Sequence, residues 1–269
     1  MNALLTLRKA DGVADVRFNR PDKHNALSLE MFTAIGDMLA QIADDAEIRV
    51  VVLSGSGESF CAGLDLELLR AMLAGGEAAQ SVLAALLRRD SGPDNLAQRV
   101  AYGWKALPVP VIGAIHGVAW GGGLQIALGC DMRIAAPTAR LSIMEARYGL
   151  VPDMSLTQTL PELVGRDVAL ELSLSARIFD AVEAHALGLV TRLADDPLAA
   201  AQALAGTIAE RSPHAVRAVK RLINEAWRAD ARHGLALEEA LQLPLIGSPN
   251  QIEAVRASLE QRAPRFIDP

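Results

Sequence analysis

The chain has little cysteine: Cys61 and Cys130 are the two in 269 residues. Two thiols cannot build a disulfide framework or a cysteine-based zinc site, so both read as small buried side chains in a reducing compartment. Aromatic residues make up only 4% of the chain. The apolar share, 51%, is carried by Ala, Leu and Val, which favours closely packed helices. An excess of positive charge is missing too. Lys and Arg number 26 against 32 Asp and Glu, a net charge of -6. No basic cluster is large enough for a nucleic-acid face, so no nucleic-acid partner is expected. A long unbroken apolar run is also lacking. Ala106 to Cys130 holds no Asp, Glu, Lys or Arg, but Pro108, Pro110, Gly113, Gly117 and Gly121-Gly122-Gly123 interrupt it. A spanning helix needs ~20 continuous apolar residues. A buried strand, a tight turn and a buried helix fit this stretch better, and no membrane partner is expected. Met1 to Leu7 is apolar but short, with Arg8, Lys9 and Asp11 close behind. No secretory or transit peptide is therefore expected, and the expected location is cytoplasmic. There is no Gly-x-Ser-x-Gly elbow, and Gly55-Ser56-Gly57 lacks the third glycine of a dinucleotide fingerprint. Both absences weigh against an α/β-hydrolase and against NAD binding.

What is present suits an α/β domain. Val13 to Phe18 alternates as a strand, and Asn19-Arg20-Pro21-Asp22 turns the chain. Ser28 can cap a helix through about Ala43, with Met31, Ile35, Met38, Leu39 and Ile42 on one face. Arg49 to Leu53 is a short β-branched run that reads as a strand buried on both sides. Leu66 to Ala74 reads as a helix stopped by Gly75-Gly76, and another helix runs from beyond Pro93 to about Leu107. Val109 to Ile115 and Met132 to Ala135 are strands around a short helix, Gly122 to Leu128. Such alternation predicts right-handed parallel crossovers. After Pro197 only helices are expected: Leu198 to Glu210, Ala215 to Ala229 and Leu235 to Leu245. This divides the chain into a core, 1–196, and a helical C-terminal region, 197–269.

Two segments have the makings of a reactive site. In Phe60-Cys61-Ala62-Gly63-Leu64-Asp65-Leu66, small residues end a loop and lead into a helix. In His116-Gly117-Val118-Ala119-Trp120-Gly121-Gly122-Gly123-Leu124-Gln125, a buried strand feeds a triple glycine that opens a helix. Free backbone N–H groups at such points bind anions or polarised carbonyls. Two of them aimed at one point would make an oxyanion hole. Two ordinary glycine-rich turns would have the same spacing.

Together these segments resemble the enoyl-CoA hydratase/isomerase family, the crotonase superfamily. The resemblance begins at Asn19-Arg20-Pro21-Asp22-Lys23-His24-Asn25-Ala26-Leu27 and runs through both segments above and Cys130-Asp131-Met132-Arg133-Ile134-Ala135. It continues through Gly149 to Asp153 and Leu160 to Gly165 to a tail at Arg262 to Phe266. It implies a spiral of β-β-α turns with a helical C-terminal region that forms a homotrimer or a dimer of trimers. It implies an acyl-CoA thioester as substrate, with coenzyme A part of that substrate and no separate cofactor or metal. By motif position the oxyanion donors are the N–H groups of Leu64 and Gly122. Lys23, His24, Ala26, Ala62, Gly63, Asp65, Leu66, Trp120 and Gly121 belong to the substrate groove. Trp120, Met144, Tyr148 and Leu156 are unranked candidates for the acyl pocket.

The resemblance also directs attention to the acids. Family hydratases use two glutamates to hold and activate one water. The first position is Gln125 here, an amide that cannot exchange protons at pH 7 but can orient water. The second is Glu145, which is retained. Asp153 stands where several double-bond isomerases of the family carry an acid, although it also precedes an expected helix, Ser155 to Leu163, that it could cap. The reading that follows is double-bond migration through a dienolate, with Glu145 or Asp153 as the mobile base. Hydration of a 2-enoyl-CoA and acyl-CoA binding without chemistry are the alternatives. Asp65 reads as a loop-ordering residue, and His116 as structural.

Overall fold

The computed structural model describes residues 4–90 and 92–269, so the first three residues of the apolar opening lie outside it. The strands are β1 (Leu5–Ala10), β2 (Val13–Phe18), β3 (Val50–Gly55), β4 (Val111–Ile115), β5 (Val118–Trp120), β6 (Met132–Ala135), β7 (Arg140–Ser142), β8 (Phe179–Asp180) and β9 (Arg192–Leu193). The helices of the first half are α1 (Leu29–Asp44), α2 (Leu66–Ala74), α3 (Gly76–Leu86), α4 (Leu96–Ala106) and α5 (Gly122–Gly129). They continue as α6 (Leu156–Thr159), α7 (Arg166–Ser175), α8 (Ala181–Ala186), α9 (Pro197–Ala209), α10 (Pro213–Ala226), α11 (Ala231–Gln242) and α12 (Pro249–Leu259).

The strands form two sheets. One runs β1-β2-β3-β4-β6-β9, antiparallel only at the β1–β2 hairpin; the other runs β5-β7-β8. Single bridges extend the second layer, Leu27 to Leu64 and Cys61 to Ala119. Each turn of chain therefore lays a strand in the first sheet, a shorter extended piece in the second layer, and then helix. This is the crotonase-like spiral with a helical C-terminal region.

Local chemistry explains the helix starts. The Ser28 hydroxyl accepts from Met31 N and opens α1, whose Met31, Ile35, Leu39 and Ile42 are buried. Asn95 and Gln98 form a capping box on α4. The expected helix from Ser155 to Leu163 is shorter and broken. α6 ends at Thr159, and a 3-10 turn, Leu160–Glu162, carries Pro161 near its start. Proline fixes φ and lacks the N–H that a continuing helix needs.

The first sheet is covered on both faces. Val51, Leu53, Val111 and Ile115 join the main core, while Val50, Val52, Ile112, Ala114 and Ile134 face Ala201, Ala205 and Ala209 of α9. Alanines four apart make a smooth helix face that lies close to the β-branched strands. A sheet buried on both sides needs continuous apolar strands rather than alternating ones, which is why Val50 to Leu53 reads VVVL. The later helices are tied down by polar contacts. The Lys220 ammonium on α10 donates to Trp104 O, Val109 O and Asp131 Oδ2 at 3.2, 2.9 and 2.7 Å. Arg49 holds Asp268 in the tail through two bonds of 2.6 and 3.0 Å. Among the described residues no helix is long and apolar enough to cross a membrane.

Candidate active site

Three short extended pieces of the second layer end side by side. Cys61 pairs with Ala119, and Trp120 pairs with Ser142. Three residues beyond Cys61, Ala119 and Ser142 lie Leu64, Gly122 and Glu145, so the register brings them to one place. Leu27 donates to Gly63 O and accepts from Asp65 N, which leaves the Leu64 N–H out of that pairing. Gly122 is the first residue of α5, and its N–H has no partner within the helix. Among the described residues no hydrogen bond uses either group.

Two glycines allow the loops to close on each other. Gly63 has φ +85°, and a Cβ there would sit 2.5 Å from Trp120 O; the same position lies 3.5 Å from Gly122 N. A Cβ on Gly123 would sit 2.2 Å from Cys61 O. Any larger residue would drive the Leu64 and Gly122 donors apart.

These groups open onto a cavity of about 860 Å³. Its wall includes Lys23, His24, Ala26, Ala62, Gly63, Leu64, Asp65, Leu66, Trp120, Gly121, Gly122, Glu145 and Asp153. The far side is apolar, with Phe32, Leu69, Met72, Leu83, Leu86 and Ala97 from α1 to α4. Met144 and Tyr148 line the cavity as expected. Leu156 does not: it is buried in the main core. Sequence reasoning missed the wall from α1 to α4 because its residues carry the ordinary apolar periodicity of packed helices.

Glu145 begins a 3-10 turn, Glu145–Tyr148, and Ile143 and Met144 separate it from β7. Burial pushes its carboxyl above the ordinary range; a backbone N–H and the Gln125 amide oppose the shift, and the charge of Asp153 adds to it. Oε1 accepts from Gln125 Nε2 at 2.6 Å, while Oε2 is buried with no partner among the described residues. Gln125 is itself buried and is not among the residues that line the cavity; its amide meets Glu145 and Met154 N. Asp153 is exposed on the cavity wall. It is not a helix cap, because Ser155 occupies the cap position of α6 and no side chain bonds there.

The chain from residue 8 to residue 269 matches the family model described as enoyl-CoA hydratase/isomerase. The chain belongs to that family. Its likeness to YngF of Bacillus subtilis strain 168 is 37% identity over 264 residues, 97% of this chain and 96% of YngF. It is 35% identical over 263 residues to human mitochondrial enoyl-CoA hydratase domain-containing protein 2, covering 95% of this chain and 86% of that one. Among solved structures, that of an enoyl-CoA hydratase from Bacillus anthracis superposes with a TM-score of 0.87 at 32% identity, over 98% of both chains. Membership makes the protein a crotonase-superfamily enzyme of the acyl-CoA-acting kind.

Other family-motif residues hold the site together, and two of them, His24 and Asp65, also line it. Asn25, buried with φ +57°, accepts from Arg20 N and donates to Ser56 O and Ser59 O, so it ties the first turn to the second. Asp65 pairs with Arg20 and caps α2 by accepting from Glu67 N at 2.7 Å. His24 sets the adjoining wall through its ring and Ser59, 3.0 Å apart, and through its carbonyl, which accepts from Ala62 N. Outside the site, His116 contacts Gly57 O through Nε2. Both cysteines are buried, which pushes their thiols up to about 12 and leaves them unreactive.

Proposed function

We propose that the enzyme moves a carbon–carbon double bond within an enoyl-CoA. The observation that carries this reading is the company Glu145 keeps: an amide, not a second glutamate, faces it. A single base suffices for migration. Glu145 takes a proton from C2 of a 3-enoyl-CoA, and the C–H electrons flow into a dienolate whose charge rests on the thioester oxygen. The same proton is returned at C4, giving the 2-enoyl-CoA. The N–H groups of Leu64 and Gly122 hold the developing oxyanion, and losing one such donor costs ~3 kcal/mol of barrier. Lys23, His24 and Ala62 line the coenzyme A side, and the walls from α1 to α4 receive the acyl chain. A cytoplasmic location accompanies this reading, supported by two free buried thiols.

Hydration of a 2-enoyl-CoA is the second reading, favoured by the hydratase name of the Bacillus anthracis relative. Incubation with a 3-enoyl-CoA and with crotonyl-CoA separates the two. The expected result is a rise in conjugated enoyl-thioester absorbance from the 3-enoyl-CoA and little loss of it from crotonyl-CoA. Rapid hydration of crotonyl-CoA without bond migration would replace the first reading by the second. Tight binding with no turnover of either would leave only acyl-CoA binding.

The active assembly on this reading is a trimer or a multiple of one. Val219 and Ile223 on α10 and Trp227 at its C-terminal cap form an exposed stripe, and Ile252, Val255 and Leu259 a second along α12. Contiguous exposed apolar faces mark contact surfaces. Light scattering is expected to give three or six times the 28.6 kDa chain mass. A monomer at all concentrations would contradict it.

A further inference from the structure

Gln125 stands where the motif leads one to expect an acid, yet its two amide ends are both engaged. Met154 N donates to Gln125 Oε1 at 2.9 Å. A backbone N–H is always a donor, so the amide can have only one orientation: oxygen to Met154, nitrogen to Glu145. Nε2 then donates to Glu145 Oε1 at 2.6 Å, and among the described residues no partner reaches Oε2. We propose that Gln125 is a positioning residue, clamping Glu145 through Oε1 so that Oε2 is the one oxygen that exchanges a proton with substrate. The inference rests on the reading of Glu145 as the base.

The geometry has a chemical consequence. A proton on Oε1 would meet the Nε2–H hydrogen head on, so the protonated acid carries its hydrogen on Oε2. Removal and return of the proton then use the same atom, and the carboxyl does not rotate between the two steps. The clamp also joins two parts of the cavity wall, because Met154 follows Asp153 directly. Loss of the clamp frees both the carboxyl and the loop that carries Asp153.

The ionisable groups around Glu145 lie on its own turn, on the following loop and on α7. Asp153 acts on it from the following loop. Arg147 and Tyr148 lie on its own turn, and α7, packed against that turn, carries Arg166, Asp167 and Glu171, the last paired with Arg177. Neither α5 nor β5 carries an ionisable side chain. A change at position 125 therefore reaches Glu145 through the lost amide donor.

The test is Gln125→Met, which keeps the volume and removes the donor, with folding checked by circular dichroism and by binding of a saturated acyl-CoA. The Glu145 carboxyl is followed by carbon-13 NMR, its resonance assigned by its absence in Glu145→Gln. A charge-assisted hydrogen bond is worth enough to move the titration midpoint upward by about one pH unit when it is lost. Turnover of the 3-enoyl-CoA should fall roughly tenfold to a hundredfold, with KM nearly unchanged. In a Glu145→Gln background, Gln125→Met should have little further effect on turnover. An unmoved Glu145 midpoint in a folded variant overturns the inference. A moved midpoint in an enzyme that turns over no enoyl-CoA sustains the clamp and instead removes the proposed reaction. If Gln125→Met does not fold, Gln125→Glu serves with the same NMR readout. It keeps an acceptor for Met154 and places a second carboxyl beside Glu145, so the two should titrate as a coupled pair. Independent titration of the two would overturn the clamp.

Discussion

Glu145→Gln is expected to slow turnover at least ~100-fold, the usual scale for removing a general base. Binding of acyl-CoA should stay within several-fold of wild type. On the proposed reading the groove consists of the Leu64 and Gly122 N–H groups and the apolar walls of α1 to α4, none of which depends on the Glu145 charge. The pH dependence follows from the same residue. Burial holds the Glu145 carboxyl above its ordinary value, so the base form is lost on acidification earlier than for a solvated glutamate. The acid limb of the rate profile should lie above that of a free carboxylate. Stability carries the opposite sign. Between the unfolded and the raised folded pKa, the folded state binds more protons than the unfolded state, so stability falls as pH rises through that window. The cost persists at neutral pH. Glu145→Gln removes it, and the variant should melt at or above the wild-type temperature. Near-normal turnover in this variant would take Glu145 out of the mechanism; a lower melting temperature would contradict the burial argument.

Lys220→Met is expected to destabilise the protein by about 3–5 kcal/mol, the cost of breaking a buried ion pair by removing one partner. Lys220 is buried and brings three contacts, two to backbone carbonyls before β4 and one to Asp131 before β6. Burial pushes the Lys220 ammonium down and the Asp131 carboxyl up, and each partner's charge opposes the shift of the other. Methionine leaves Trp104 O and Val109 O without that donor and Asp131, among the described residues, with Val111 N, 2.7 Å away. The melting temperature should fall by on the order of 10 °C, with faster hydrogen exchange across α10. The double variant Lys220→Met, Asp131→Leu should recover much of the loss, since a buried pair replaced by apolar residues is often neutral. A single variant as stable as wild type would show that α10 is held by other contacts.

The local signals were strong where chain neighbours alone decide the outcome. Ser28 with its 3.6-residue apolar pattern was enough for α1, and the stop at Gly75-Gly76 for the end of α2, because caps and periodicity act within one or two turns. The β-branched run at residues 50–53 announced a strand buried on both faces, though not that α9 covers one of them. The motif positions were legible as well, and most of the residues they marked line one cavity.

Composition and local pattern were thus sufficient for the α/β class and the change to helices after residue 196, and the resemblance of the motifs for the family. They sufficed because backbone propensity, capping and motif spacing are properties of short stretches. Tertiary structure alone decided what Gln125 touches. Residues 125, 145 and 154 are brought together by the parallel register of β5 on β7 and by the loop before α6, and no spacing along the chain encodes that meeting. The same holds for the apolar cavity wall and for the Lys220 anchor. An apolar position on a helix looks alike in sequence whether it faces core or cavity, and the partners of a lysine 89 residues from its aspartate depend on how the layers stack.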